Sequence, residues 1–283
     1  MPSTYAHYIF GKEVYQSYPK ALRERIAPYL PLYHIGLHGP DILFYYKALF
    51  PNPVNQVGYS MHAQPAWSFF ERAAGLLRET GEGEPRDQRL AYLCGFLCHF
   101  ALDSSCHGYV EKKIQVSGIT HAEIEVEFDR CLLVRDGKDP LRQCLTEHII
   151  PAPENARVIA PFFPTVTEKN VERSLRSMIM YNRLLIAPRP VRRQLIFTLL
   201  RLTGNYKEMH GLLMNPEPNP ACRDSNAGLM KRLEEAVPLC LDLTDNFQQV
   251  VWDGREPDPW FQRTFSFEDG WQKIDIGDGC DEG

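Results

Sequence analysis

His99, Asp103 and His107 follow one another at steps of four in the segment GFLCHFALDSSCH, residues 95–107. On an α-helix each step of four turns the side chain by only about 40° and climbs roughly 6 Å, so the three form one slightly spiralling column. His121 and Glu125 repeat the step, and Asp129 continues it. Imidazole and carboxylate are the donors that zinc and other borderline metals take. A single histidine on an apolar helix reads as a core residue whose hydrogen bonds are met. Three histidines and two acids on two neighbouring helices are a different case, because burying them without a metal incurs several desolvation penalties of about a few kcal/mol each. Two helices that cross with these faces together are therefore expected to enclose metal.

The columns need helices, and the hydrophobic periodicity is helical almost throughout, with β-type alternation hard to find. The expected fold is all-α, a multi-helix bundle. The stretch from about Asp87 to Cys106 is apolar on every side, which places it at the centre. A helix over about Thr120 to Val134 carries the second column. Upstream, Ser3 can cap a helix running to about Ser17, Pro19 sits where a second begins, and Pro31, Gly39 and Pro40 break the pattern. Gly58 to Thr80 reads as one long helix with Trp67, Phe70, Ala74 and Leu77 along a face, ended by the GEGEP turn at 81–85. Downstream, Pro151 to Pro164 reads as a proline-rich connection. Helices are then expected over about Glu168 to Leu185, Val191 to Leu202 and Gly228 to Gln249, with a turn-rich Asn215 to Asn226 segment. Residues 1–253 are expected to form a single domain, with the metal-ligating residues in 1–130 and helical completion in 151–253. The acidic, glycine-rich tail 254–283 is expected to be peripheral or frayed.

The composition fits a globular protein: 283 residues, 44% hydrophobic and 24% charged. With 31 Lys+Arg against 36 Asp+Glu the formal charge is −5. No long basic run appears, which speaks against an electrostatic binder of nucleic acid or anionic membrane, and no stable nucleic-acid binding is expected. The start, MPSTYAHYIFGKEV, lacks the basic and apolar regions of a secretory signal. Charge-poor stretches such as Leu90 to Leu102 are too short to span a bilayer, so the expected location is the cytoplasm. Eight cysteines without a CxxC pair read as reduced thiols, and Cys94 and Cys98 as small core residues. Ser104 and Ser105 lack a base arrangement suited to a serine hydrolase, and no glycine-rich phosphate loop follows a strand.

The chain resembles the zinc-dependent phospholipase C family, whose fold is shared with the single-strand-specific zinc nucleases. The resemblance rests on STYAH at residues 3–7, GLHGPDILF at 36–44, SMH at 60–62, His99-x3-Asp103-x3-His107 and His121-x3-Glu125, in the family's order over the first half of the chain. It implies an all-helical core holding up to three zinc ions. Asp41, His62, His99 and Asp103 would bind the first, and His107, His121 and Glu125 the second. His7 would bind the third, with Asp103 as a bridging carboxylate. In secreted relatives the amine and carbonyl of a processed N-terminal tryptophan complete that third site. Here removal of Met1 would expose Pro2, whose amine and carbonyl can form a five-membered chelate.

The resemblance also implies hydrolysis of a phosphodiester, phospholipid first, by a metal-bridging hydroxide attacking phosphorus in line. Three divalent ions against Asp41, Asp103 and Glu125 leave the site positive although the chain is negative, so a phosphate would be drawn by local charge. Asp41 is the candidate catalytic residue, orienting or deprotonating the water, with a pure ligand role as the alternative. Asp129 and His38 are candidates to hydrogen-bond the ligands. Phe44 and Tyr45 are candidate substrate-binding residues, since aromatic rings cradle quaternary ammonium groups and stack on bases. His148 and His210 have no matching partners and read as surface or loop histidines. Membrane contact would be transient, and no feature fixes an oligomeric state. Two alternatives stay open: a nuclease or nucleotidase using the same three metals, and a zinc-stabilised helical binding protein without turnover.

Overall fold

The computed structural model describes residues 4–267 and 270–276. Among the described residues the regular structure is helical and contains no strand. In chain order the α-helices are α1 (Thr4–Ser17), α2 (Lys20–Ile26), α3 (Leu30–Gly36), α4 (Pro53–His62), α5 (Trp67–Glu79), α6 (Glu84–Ser117), α7 (His121–Arg135), α8 (Pro153–Ile159), α9 (Glu168–Leu185), α10 (Pro190–Leu202), α11 (Tyr206–Met209) and α12 (Arg223–Asp253). A 3-10 segment, Gly39–Tyr45, joins α3 to α4 and carries Asp41. None of these helices is long and apolar enough to cross a membrane.

The fold is organised around α6. Pro85 stands in its first turn, and Gly118 stops it in the left-handed conformation with φ 71°, its N–H returning to the Ile114 carbonyl. Every residue from Leu90 to Asp103 is buried, as a helix without a polar face requires. Neighbours therefore enclose it on all sides: α1, α2, α3, α5, α7 and α12 all pack against it. Stacked rings fill the gaps on one flank, Phe69 on Phe96 at 4.0 Å between centroids and Phe100 on Phe261 at 5.8 Å.

α3 approaches α6 most closely, and the approach depends on two glycines. A Cβ added at Gly95 would lie 2.1 Å from the Tyr33 carbonyl oxygen, and one at Gly36 would lie 2.2 Å from that of Tyr92. Backbone touches backbone there, which brings the chain leaving α3 directly over the His99 face of α6.

Several boundaries differ from the periodicity reading. The single helix expected over Gly58 to Thr80 is two, α4 and α5, because Pro65 cannot continue a helix. α4 instead starts earlier, at a capping box in which Asn52 and Asn55 satisfy each other's backbone N–H groups. Pro31 opens α3 rather than interrupting a helix, and the Pro151 to Pro164 connection contains α8. α9 has the expected bounds, fixed by a Thr167–Asn170 capping box. Ser3 lies outside the described residues. The start of the tail is not frayed: Phe261 and Phe265 are buried in the same core as Tyr5 and Phe10. Cys94 and Cys98 are buried free thiols, as expected of core residues.

Gly95→Ala should destabilise the protein by about 2–3 kcal/mol, since the new methyl group has no flexible side chain to displace. Urea unfolding measures it, and an unchanged midpoint would contradict the backbone contact.

Candidate metal centre

α6 presents His99, Asp103 and His107 along one line, and three other elements bring donors to it. His7 comes from the first turn of α1. Asp129 of α7 holds that turn, its carboxylate oxygens accepting the N–H groups of Tyr5 at 3.0 Å and Ala6 at 2.8 Å. Asp41 comes from the 3-10 segment, which can lie against α6 because Gly39 has φ +48° and no side chain: a Cβ there would meet the His99 ring at 2.2 Å. His62 is the last residue of α4. His121 and Glu125 come from the first turns of α7, which Thr120 caps by accepting the Glu123 N–H.

The donors converge. His62 Nε2 lies 3.0 Å from Asp41 Oδ1 and 3.8 Å from Asp103 Oδ2. His99 Nε2 lies 3.1 Å from Asp103 Oδ2 and 4.0 Å from Asp41 Oδ2. Donor atoms around a tetrahedral zinc are about 3.3 Å apart, so these four side chains nearly outline one coordination sphere. His7 Nε2 approaches the other oxygen of Asp103, Oδ1, at 3.1 Å, with its ring stacked on His99 at 4.5 Å. His121 Nε2 and His107 Nε2 lie 2.9 Å and 3.5 Å from Glu125 Oε1. Three groups, His7–His99–Asp103, Asp41–His62–His99 and His107–His121–Glu125, thus have donor atoms within 4.8 Å of one another.

The fit to metal is tested by the hydrogen bonds. Asp41 Oδ1, His99 Nε2 and Asp103 Oδ2 are buried and have no hydrogen-bond partner of acceptable geometry, although orphaned buried polar atoms are rare in native proteins. A shared cation would satisfy all three. The tautomers agree as well. His62 Nδ1 lies 2.9 Å from the Gly58 carbonyl and His107 Nδ1 lies 2.6 Å from that of Phe265. A carbonyl only accepts, so each Nδ1 carries a proton, and in the neutral ring Nε2 keeps its lone pair toward the cluster.

Charge follows the same geometry. Burial pushes the Asp103 pKa up, but His107 and His99 outweigh it and hold the carboxyl well below the usual carboxylate range. Asp41 is lowered against the same opposition by His99 and His62, and Glu125 by His121. Reciprocally, the Glu125 and Glu111 carboxylates overcome burial to raise His121 to about 9. Asp41 and His62, with Asp103 and His107, open on a cavity of about 170 Å³ whose wall includes Phe44 stacked on Tyr59 at 4.3 Å.

Not every expected site residue gathers here. Tyr45 lines a different cavity, between α7 and the α9–α10 connection, because consecutive side chains on a 3-10 helix are turned by about 120° from one another. Asp129 supports His7 through the α1 backbone. His38 is fully buried, with Nε2 2.7 Å from His148 Nε2. His148 is a loop histidine, as expected, but a half-buried one with partners: it stacks on Tyr8 at 4.2 Å, and burial lowers its pKa to about 3. Pro2 lies outside the described residues.

Three contributors escaped the sequence reading. Glu111 extends the four-residue column of α6 by one more step, lines the cavity and faces His121 Nδ1 at 3.7 Å. Its spacing was the available signal. Phe265 and Phe267 arrive from the tail, the first supplying the carbonyl that fixes His107 and the second lining the cavity; nothing local to their sequence announces this.

Against this geometry, the family described as zinc dependent phospholipase C matches residues 6–169, a span that includes His7, Asp41, His62, His99, Asp103, His107, His121 and Glu125. The chain belongs to that family. No curated protein and no solved structure matches it. As a member of the zinc-dependent phospholipase C family it carries a hydrolase domain, and its His/Asp/Glu groups are able to hold metal.

In the metal-free protein the neighbouring carboxylates favour the protonated forms of His62 and His121, and metal should replace those protons. The raised pKa of His62 and His121 adds stability that is complete below the unfolded value of 6.5 and is lost as pH rises, for His121 through about 9. The lowered carboxylates add stability present above about pH 4 and lost below it. Chelator-stripped protein should therefore lose thermal stability between pH 6.5 and 9, whereas zinc-loaded protein should be the more stable form and hold its melting temperature across that window. Calorimetry with and without chelator checks this, and parallel curves would refute metal binding at these residues.

Proposed function

We propose that the chain is a zinc-dependent phosphoric-ester hydrolase that acts on phospholipid. In this reading Asp41, His62, His99 and Asp103 hold one ion, His107, His121 and Glu125 a second, and His7 with Asp103 a third. The observation that carries it is the division of Asp103: Oδ1 faces His7 while Oδ2 faces His99 and His62, the arrangement a bridging carboxylate needs. When bound, zinc supplies Lewis acidity toward a phosphoryl oxygen and ionises water near neutral pH.

The protein's own groups would do the rest. Asp41, ionised and at the cavity wall, is better suited to orienting a water than to keeping its proton, because a lowered pKa makes a weak base. Glu111 would steady the His121 ring from its Nδ1 side. The stacked Phe44 and Tyr59 offer an apolar, electron-rich wall to the substrate beside a positive floor. The small cavity and the tail segment over His107 limit water around the reacting phosphate.

The test is product analysis on phosphatidylcholine and on single-stranded DNA side by side. Diacylglycerol and phosphocholine are expected from the lipid. Asp41→Asn and Asp103→Asn should each cut the rate by at least about 10²-fold, the equivalent of losing a few kcal/mol of electrostatic stabilisation. Release of nucleotides alone would move the assignment to the nuclease reading. Bound metal with neither product would leave a zinc-stabilised binding protein.

A further inference from the structure

α10 stands apart from the rest of the bundle: none of its residues is buried. Val191, Leu195, Leu199 and Leu202 follow one another along it at steps of four, four and three, so they share one face, and they are 82%, 70%, 60% and 81% exposed. Such a continuous apolar stripe is characteristic of a surface that meets a partner or a bilayer. The charge along this part of the sequence is one-sided. Between Arg173 and Lys207 the sequence has eight basic residues and no acid, in a chain with 36 acids elsewhere. Arg192 donates to the Arg183 and Leu184 carbonyls, Arg193 to that of Met214, and Arg201 lies over the Tyr206 ring. These contacts orient the guanidinium groups without neutralising them, whereas Arg176 is paired with Glu172.

We propose that α10 is an interfacial anchor that docks the protein on an anionic phospholipid surface, its leucines entering the acyl boundary and its arginines meeting lipid phosphates. Charge chooses this occupant. A second copy would bring the same cationic face and set like charges together, and a nucleic acid would leave the leucines uncovered. The inference deepens the proposed function and rests on it for its purpose, since a lipid-cleaving site needs its substrate held at a surface. α9, which leads into α10, packs against the 3-10 segment that carries Asp41, so the anchor is joined to the site through one intervening helix. α10 itself lies beyond the family-matched residues 6–169.

The experiment is co-sedimentation of the full, metal-loaded chain with vesicles of phosphatidylcholine alone and of phosphatidylcholine containing about 30% phosphatidylserine. The wild type should pellet with the anionic vesicles and be released by raised salt. Leu195→Ser/Leu199→Ser should weaken association at least about tenfold, as expected for withdrawing two leucines from the interface. Arg192→Glu/Arg201→Glu should weaken it comparably on the anionic vesicles. Both variants should keep the wild-type melting temperature, which separates lost docking from lost folding. Equal pelleting of wild type and folded variants overturns the anchor. So does a wild-type dimer that the leucine variant dissolves while neither form binds vesicles. Vesicle binding needs no turnover: α10-dependent binding without hydrolysis would keep the anchor and remove the proposed activity, and hydrolysis without such binding would do the reverse.

Discussion

A carboxylate buried to 3% exposure sits at the middle of this molecule, and it must be neutralised. Asp103 lies within 4.0 Å of four imidazoles, those of His7, His62, His99 and His107. They come from three helices, α1, α4 and α6, and the Asp41-bearing segment adds a second buried carboxylate to the cluster. Without that convergence α6 would carry an unpaired charge through a wholly apolar environment, at a cost of several kcal/mol. The packing of α1, α3 and α4 on α6 is therefore one problem with the site chemistry. The glycines that let α3 and the 3-10 segment approach α6, and the Asp129 carboxylate that seats α1, serve the core and the cluster at once.

Neutralisation can come from protons or from divalent ions, and the two exclude one another at the same nitrogen. The positions of His62 Nδ1 and His107 Nδ1 against backbone carbonyls bias the choice, because each ring spends its one neutral-state proton on the carbonyl and offers Nε2 bare. An imidazolium could use the same arrangement, so the carboxylate geometry has to separate the two cases. Protonated rings would leave Asp41 Oδ1 and Asp103 Oδ2 competing for donors that point elsewhere, whereas a cation accepts lone pairs from every direction of its coordination sphere. This is why the orphaned atoms, rather than the number of histidines, carry the argument for metal.

The parts legible in the sequence were those a local rule controls. The 99–103–107 and 121–125 columns follow from helical pitch, and the buried position of α6 follows from its lack of a polar face. The family motifs supplied Asp41, His62 and His7, which no local periodicity links to α6. What stayed hidden depends on distant backbone. The carbonyl that fixes His107 belongs to Phe265, 158 positions away, in a segment whose acidic, glycine-rich continuation suggests only disorder. His148 looks solitary until the fold seats it against His38. Asp129 shares the helical register of His121, yet its carboxylate reaches the α1 amides, because two further turns of α7 carry it past the cluster. Glu111 is the one omission that the spacing rule itself could have recovered.

Net charge says little about local fields. A value of −5 averages a chain whose 173–207 stretch has eight cations and no anion, and averaging erases what an approaching surface would feel, since screening confines each field to about 8–10 Å. The same locality governs the metal cluster, where the carboxylates are spent on their neighbours and leave no field to repel a phosphate once divalent ions are bound. On the proposed reading, an anionic lipid would meet positive charge in two places on an acidic protein, first where the exposed leucines of α10 lie and then, with divalent ions bound, at the cavity wall.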